Sequence, residues 1–413
     1  MSTRTDIRQV QADSYTHNMR LVAHHDLNGR GDGMQILKVG DFVYVAHLGA
    51  SDMALSILDC TDPSDPQLVR QIEHPPNTHR HKVQIVGDVL IQNSERPSRS
   101  VIETSARYTG RRDEDASPVT GLEIFDLQDP TDPRPVGFHP VPGTGVHRIW
   151  YSEPPYAHIA AWLPEVSERA YQIVDLSDPA NPELAGAWWI PGTRRGDSHA
   201  WPALAEREHF AVHGIIPNGD RAYVACTDAG LVVLDISDVR TPRFISRVDW
   251  SPPYGGYVHT GLPLPERGLV IAVDESVRPT RAEDGDKRVW VVDVREEQQP
   301  VTVSTFPIPQ PPAGAPWASF DDRPLRFGPH NVHENRPGSF QSEELIFVTY
   351  FNAGLRVVDI SDPHRPEEVA YFVPPPPPGQ EAPQANDLFV DVNGLVYLTD
   401  RLTGGMYVVE YNG

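Results

Sequence analysis

Cysteine is nearly absent from this chain. Cys60 and Cys226 are the only two in 413 residues, too few and too far apart in sequence for a disulfide framework. No apolar run approaches the ~18 residues of a membrane span. The opening MSTRTDIRQVQADSY has no apolar centre of the kind a secretory signal needs. Basic residues are in deficit, with 35 Lys plus Arg against 57 Asp plus Glu and a formal net charge of −22. Phosphate backbones and anionic membranes call for a basic surface, so neither is the expected partner. GxSxG, P-loop, GxGxxG and HExxH patterns are all missing. Apolar residues at 39% still suffice for a packed core. These absences leave a cytoplasmic globular protein whose expected partner is a small molecule.

What the chain has instead is proline, 42 residues of it, and a repeated phrase. LDCTDPSDPQLV begins at Leu58, FDLQDPTDPRPV at Phe125, VDLSDPANPELA at Val174, LDISDVRTPRFI at Leu234, VDVREEQQPVTV at Val292 and VDISDPHRPEEV at Val358. The shared aspartates are Asp59, Asp126, Asp175, Asp235, Asp293 and Asp359, spaced 49 to 67 residues apart. A period of that size announces a repeat array. Within one copy the runs HGIIP, RAYVACT, LVVLDI and RFISRVDW are β-rich and bounded by Gly, Asp and Pro. The Asp caps a turn through its side chain, and Pro presets φ. Four short strands per unit, repeated, predict an all-β fold: a seven-bladed β-propeller with four-stranded blades, one domain over residues 1–413. Six units carry the full phrase. The last segment supplies three strands, with Glu410 in place of the Asp, so residues 18–26 are expected to close the ring by pairing with it, leaving 1–17 as an N-terminal arm.

The phrases LVVLDISD and LRVVDISDP resemble the LVIVD repeat, a family of mostly uncharacterised bacterial β-propeller proteins. The resemblance implies a fold and names no site. Three insertions interrupt the repeat: a polar, Arg-rich excursion from Glu95 to Val119, a Pro-rich segment over 307–326 before the sixth blade, and a proline run from Pro374 to Pro383. The 307–326 segment is either a surface connector or a lid.

Aligning the units on their first strand gives RHKVQIVGD, VHRIWYSE, VHGIIPNGD, VHTGLPLPE and PHNVHENRP for blades two to six. The shared residues are His81, His147, His213, His259 and His330. Blades one and seven carry Met34 and Leu388 there. The first strand of a propeller blade lines the central channel, so equivalent positions in successive blades form a ring. A ring of neutral imidazoles suits one divalent transition metal, Fe, Cu, Mn or Zn. The competing reading is a packing histidine copied with the repeat. The second strands end near the same face, and their terminal residues include His47, Asn93, Glu95, Asp228, Asp274 and Glu275. Of these, Glu275, Asp228 and His47 are the candidate catalytic groups, through proton transfer or by orienting the ligand histidines. Arg323, Arg326 and Arg401 are candidates for holding an anionic substrate. Tyr254 and Tyr257 read as rim packing, Cys226 as a buried small residue, and His333 as facing away from the channel.

The leading expectation is a metalloenzyme with a mononuclear His-rich site on the propeller axis, an oxidoreductase or oxygenase of a small organic substrate. In radial His placement it resembles carotenoid-cleaving oxygenases, which hold iron with four axial histidines, and the methanethiol oxidase family, which uses histidines for copper. A metal-assisted lyase or hydrolase of a small anionic substrate is the second expectation; oligogalacturonate lyases are similar in having a His-rich manganese site. A non-enzymatic interaction scaffold is the third.

Overall fold

The computed structural model describes residues 7–49, 52–97, 113, 115–201 and 210–413. Its strands assemble into seven four-stranded antiparallel sheets, and the fold is the seven-bladed β-propeller that the repeat predicts. The chain gathers into two compact units. One holds the described residues up to Ile72 with Val273–Val292 and Thr302–Gly413; the other holds Glu73–Ala272 and Asp293–Val301.

In the second unit the blade of Ile215–Asn218, Arg221–Ala225, Leu231–Asp235 and Arg243–Val248 shows how sequence becomes sheet. The two middle strands are β-branched and aliphatic on both faces, because both faces are covered by neighbouring sheets. Val232 and Leu234 pack with Tyr171 and Ile173 of the preceding blade and with Trp188 and Ile190 that follow them. The outer strand turns polar, with Arg243 and Phe244 exposed. Burial therefore falls from the inner strands outward.

The repeat aspartate does what its position predicts. Each one accepts a hydrogen bond from the backbone N–H two residues on: Asp59 from Thr61 (2.9 Å), Asp126 from Gln128 (3.0 Å) and Asp175 from Ser177 (2.8 Å). Asp235 does so from Ser237 (2.9 Å), Asp293 from Arg295 (3.0 Å) and Asp359 from Ser361 (2.7 Å). In five copies a second aspartate, Asp62, Asp129, Asp178, Asp238 or Asp362, repeats the same bond further along the turn. The residue after each repeat aspartate (Cys60, Leu127, Leu176, Ile236, Val294, Ile360) is buried.

In the first unit, Met19–His25 pairs antiparallel with Met406–Tyr411, setting Leu21 opposite Val409 and Arg20 opposite Glu410. This is the expected closing strand. The expected arm is more structured than a connector: Ile7–Asp13 is helical, and Tyr15–His17 pairs with Glu367–Val373, becoming the outer strand of the sheet that contains Leu345–Thr349 and Leu355–Asp359. At the opposite edge of that sheet the inner segment, around His330, forms no regular strand. Pro329 has no N–H to give, and the segment touches Leu345–Thr349 through the single bridge Val332–Val348 and scattered backbone bonds.

The 307–326 segment is pinned rather than loose. Phe320 is buried and stacks on Phe327, Arg323 donates to Asn352 O at 2.7 Å, and Asn352 Nδ2 donates to Phe320 O at 3.2 Å. Trp317 lies across the Arg323 guanidinium, and burial pushes that group down to about 10. Arg323 is thereby removed from the substrate-binding candidates. Most of the Arg-rich excursion lies outside the described residues.

Leu21 packs inside a cluster with Phe347, Leu355, Val396 and Val409, whereas its neighbour Val22 is half-buried. Leu21→Ala is therefore expected to lower unfolding stability by about 2–5 kcal/mol and Val22→Ala by under about 1.5 kcal/mol. Urea denaturation of the two variants checks this, and equal losses would show that the closing strand is not core.

Candidate metal centre

Four of the five aligned histidines meet in the second unit. Successive ring centroids lie 5.1 Å apart from His81 to His147, 4.7 Å from His147 to His213 and 4.5 Å from His213 to His259. Gly214 makes the last approach possible, since a Cβ there would sit 2.3 Å from His259 O. His147 occupies a register shift between Val146 and Arg148 in the pairing of Val146–Trp150 with Tyr156–Ala161. Such a bulge re-aims a side chain. Here it brings the consecutive residues His147 and Arg148 to the same cluster.

Hydrogen-bond partners assign the tautomers. Both oxygens of Glu95 stand 3.0 Å from His147 Nδ1, so that nitrogen carries the proton and donates. His213 Nδ1 faces the carbonyl of His259 at 3.3 Å, also an acceptor only. The two Nε2 atoms are then both lone pairs, and they face each other at 3.0 Å. Two lone pairs at that separation repel unless a cation lies between them. Imidazoles whose far nitrogens donate to a carboxylate and a carbonyl, with their near nitrogens converging, have the arrangement of metal ligands and their outer partners.

The flanking histidines are presented differently. Asn93 Oδ1 accepts from the backbone N–H of His81 (3.0 Å) and Lys82 (2.7 Å), which turns the Asn93 amide N–H toward Val146 O and toward His81 Nδ1 at 3.2 Å. The Nε2 of His81 thus carries its proton. His259 donates from Nδ1 to Thr260 Oγ1 at 2.8 Å and accepts at Nε2 from Arg148 Nη1 at 3.1 Å. His79, which the alignment missed, stacks on His81 at 4.2 Å and stands 3.7 Å from Glu95. Its signal was two-residue spacing, since positions 79 and 81 of an extended chain face the same side. His79, His81 and Glu95 bring one donor atom each within 4.8 Å of one another, a second grouping able to hold a cation.

His81, His147 and His213 are neutral near pH 7. Burial pushes His147 down to about 4, Glu95 opposing and Arg169 and Lys82 reinforcing the shift. Burial also holds His81 and His213 well below the ordinary histidine value, helped by neighbouring rings and cations. Burial alone would raise the Glu95 carboxyl, but His147 and His79 hold it well below the usual carboxylate range.

In the first unit His330 donates from Nδ1 to Asn386 O at 2.8 Å, stacks on Phe351 and turns Nε2 toward Glu275 Oε1 at 3.6 Å. Glu275 also accepts from Arg326 Nη1 at 3.3 Å, and Arg401 lies over the same Phe351. Glu275 thus faces both His330 and Arg326. His47 is fully buried with both nitrogens engaged, Nδ1 at 2.7 Å from Asp32 and Nε2 at 2.7 Å from Ser56 Oγ. Both partners belong to its own blade. Asp228 accepts from the Tyr257 N–H at 2.9 Å and caps the turn that leads into His259, a structural task. Tyr257 meets His213 edge-on at 5.8 Å. Cys226 is buried, which raises its thiol far above the nucleophilic range. His333 is held by Phe340 O and Val390 N.

The profile of the LVIVD repeat matches residues 30–73, 149–188, 212–249 and 342–372. No curated protein matches the chain. Among solved structures, a functionally unknown protein from Desulfotomaculum acetoxidans DSM 771 is similar at 14% identity and a TM-score of 0.51, over 92% of this chain and 89% of that one. The β-propeller domain of Myceliophteria thermophila Cps50 (Swd1) is similar at 12% identity and a TM-score of 0.55, over 92% and 97%. The N-terminal domain of Nup159 is similar at 10% identity and a TM-score of 0.53, over 96% and 95%. Likeness at these identities speaks for the fold alone. With its repeated phrase, its seven sheets and the matched segments, this chain is an LVIVD-repeat β-propeller.

Proposed function

We propose that the chain is a metal-dependent enzyme whose centre is held by the Nε2 atoms of His147 and His213. The observation that carries this reading is the 3.0 Å approach of those two nitrogens while each ring's Nδ1 faces an acceptor. Glu95 orients His147 and keeps its proton on Nδ1. His79 and Glu95 lie beside this pair, in a further grouping of possible donor atoms. A divalent transition metal (Fe, Cu, Mn or Zn) bound by neutral imidazoles retains most of its charge and keeps positions open to substrate, which suits Lewis-acid or O₂ chemistry. The reading is an oxidoreductase or oxygenase of a small organic substrate.

A second reading, a metal-assisted lyase or hydrolase of a small anion, draws support from the positive charges of Arg148, Arg169 and Lys82 acting on the same rings. Two buried free thiols, Cys60 and Cys226, agree with a reducing compartment, and we place the protein in the cytoplasm. No helix among the described residues is long and apolar enough to cross a membrane.

Elemental analysis of protein purified without an affinity tag is expected to find near-stoichiometric metal, lost in His147→Ala and His213→Ala. Glu95→Gln keeps both ligands but removes the negative charge behind His147, and is expected to weaken binding roughly 10–100-fold. Fe or Cu favours the oxidoreductase and directs the next assay to O₂ uptake; Mn or Zn favours the lyase or hydrolase. Wild-type protein that neither carries metal nor takes it up on soaking ends the metal reading.

The pH dependence follows from neutral rings. His147 is unprotonated in the folded protein down to about pH 4, whereas an unfolded histidine takes up its proton near 6.5. The unfolded chain therefore binds more protons between those values, and stability falls as pH drops from about 6.5 toward 4. Metal retention is expected to persist at pH 6 and to fail as pH approaches about 4, where ligand and proton compete. Dialysis at stepped pH followed by metal analysis measures it. Loss already at pH 6 would mean that His147 is not a ligand.

A further inference from the structure

Two guanidinium groups flank His213, and neither belongs to the aligned histidine positions. Arg169 Nε donates to Val212 O at 3.1 Å, and the Val212 N–H donates back to Arg169 O at 3.1 Å. The Arg169 side chain is thus fastened to the residue immediately before His213, and its Nε is spent. Among the described residues its two terminal nitrogens make no further hydrogen bond or ion pair. The buried Arg148 is held on His259 Nε2, and the His259 ring packs 4.5 Å from His213. Tyr257, half-buried and edge-on to His213, adds an aromatic wall beside them.

The chemistry of these groups selects a ligand. The Nη1–Nη2 edge of a guanidinium presents two nearly parallel N–H bonds that match the two oxygens of a planar carboxylate. Within the second unit the Glu95 carboxylate lies beside the rings, and it is taken up by His147 and His79. The protein as a whole carries a net charge of −22, so an attractive site for an anion has to be built locally.

We propose that this centre takes a small organic carboxylate, gripped by the terminal nitrogens of Arg169, with Arg148 supplying a second positive charge and Tyr257 bordering the organic part. The assignment rests on the metal reading for the fate of the substrate and on the arginine alone for its binding. It narrows the substrate class of either reaction and makes Arg169 a specificity residue.

The test is isothermal titration with malonate and with pyruvate, using inorganic phosphate for comparison, on the protein as purified and after chelator treatment. Wild type is expected to bind a carboxylate probe. Arg169→Met is expected to weaken that binding roughly 10–100-fold, the scale of a lost charge-assisted pair, with Arg169→Lys in between. Metal content is expected to be unchanged in both variants, because Arg169 is not a ligand. An unchanged affinity in Arg169→Met overturns the proposal, as does a folded wild type that binds neither carboxylate. Phosphate binding without carboxylate binding overturns the assignment of the ligand class. Arg169-dependent carboxylate binding by a protein that never holds metal sinks the metal reading and leaves this one standing. A measurement on wild type alone guards against unfolded variants: malonate is expected to shift the NMR ring signals of His213 and Tyr257 and to leave those of the buried His158 in place. No shift at His213 overturns the proposal as well.

Discussion

One hydrogen bond, from a backbone N–H to the carboxylate two residues earlier, closes the same corner in six of the seven blades. It sets where the third strand stops and the fourth begins. Because the corner is constant, the strand offsets within a blade are constant too, and a given position of the inner strand reappears at an equivalent place in each unit. The histidines inherit their convergence from this scaffold, although no histidine takes part in the corner.

What the cluster does with that convergence depends on where the protons sit. Acceptors behind His147 and His213 push their protons outward and leave the lone pairs facing inward. An amide behind His81 does the opposite and leaves its proton on Nε2, while a guanidinium takes up the inner lone pair of His259. Equivalent residues have become inequivalent through their neighbours, so one repeated residue type provides ligand-like and donor-like positions side by side. Burial keeps the rings neutral, which is the condition for either role.

The scaffold was largely legible in the amino-acid sequence. The aspartate turns, the strand pattern, the blade number and the closing strand all follow from local rules about β-rich runs, Asp, Pro and Gly. The meeting of His81, His147, His213 and His259 followed from equivalence within the repeat. What was not legible depends on exceptions to the repeat. The bulge at His147 turns Arg148 inward, against the alternation that a strand ordinarily obeys. Arg169 reaches the cluster through a backbone carbonyl of the next blade. His47 looked like a second-strand terminus facing the channel, but Asp32 and Ser56 capture both its nitrogens. Asp228 looked like a proton carrier, and the structure shows it accepting from the backbone N–H of Tyr257. His330 aligned by sequence, yet Pro329 leaves its segment without a regular strand.

The N-terminal strands pair at both Met406–Tyr411 and Glu367–Val373, and the Arg20–Glu410 contact spans 390 residues of chain. A contact of that sequence separation is costly to form early, since the loop it closes is almost the whole molecule. During synthesis the strands made first wait, with their backbone groups exposed, until those made last leave the ribosome. The order of translation and the order of assembly are thus opposed at this seam. A chaperone that shields unpaired strands would have the most to do there, and a nascent chain stalled before residue 406 would hold six repeat units with the seventh blade still missing its partner strand.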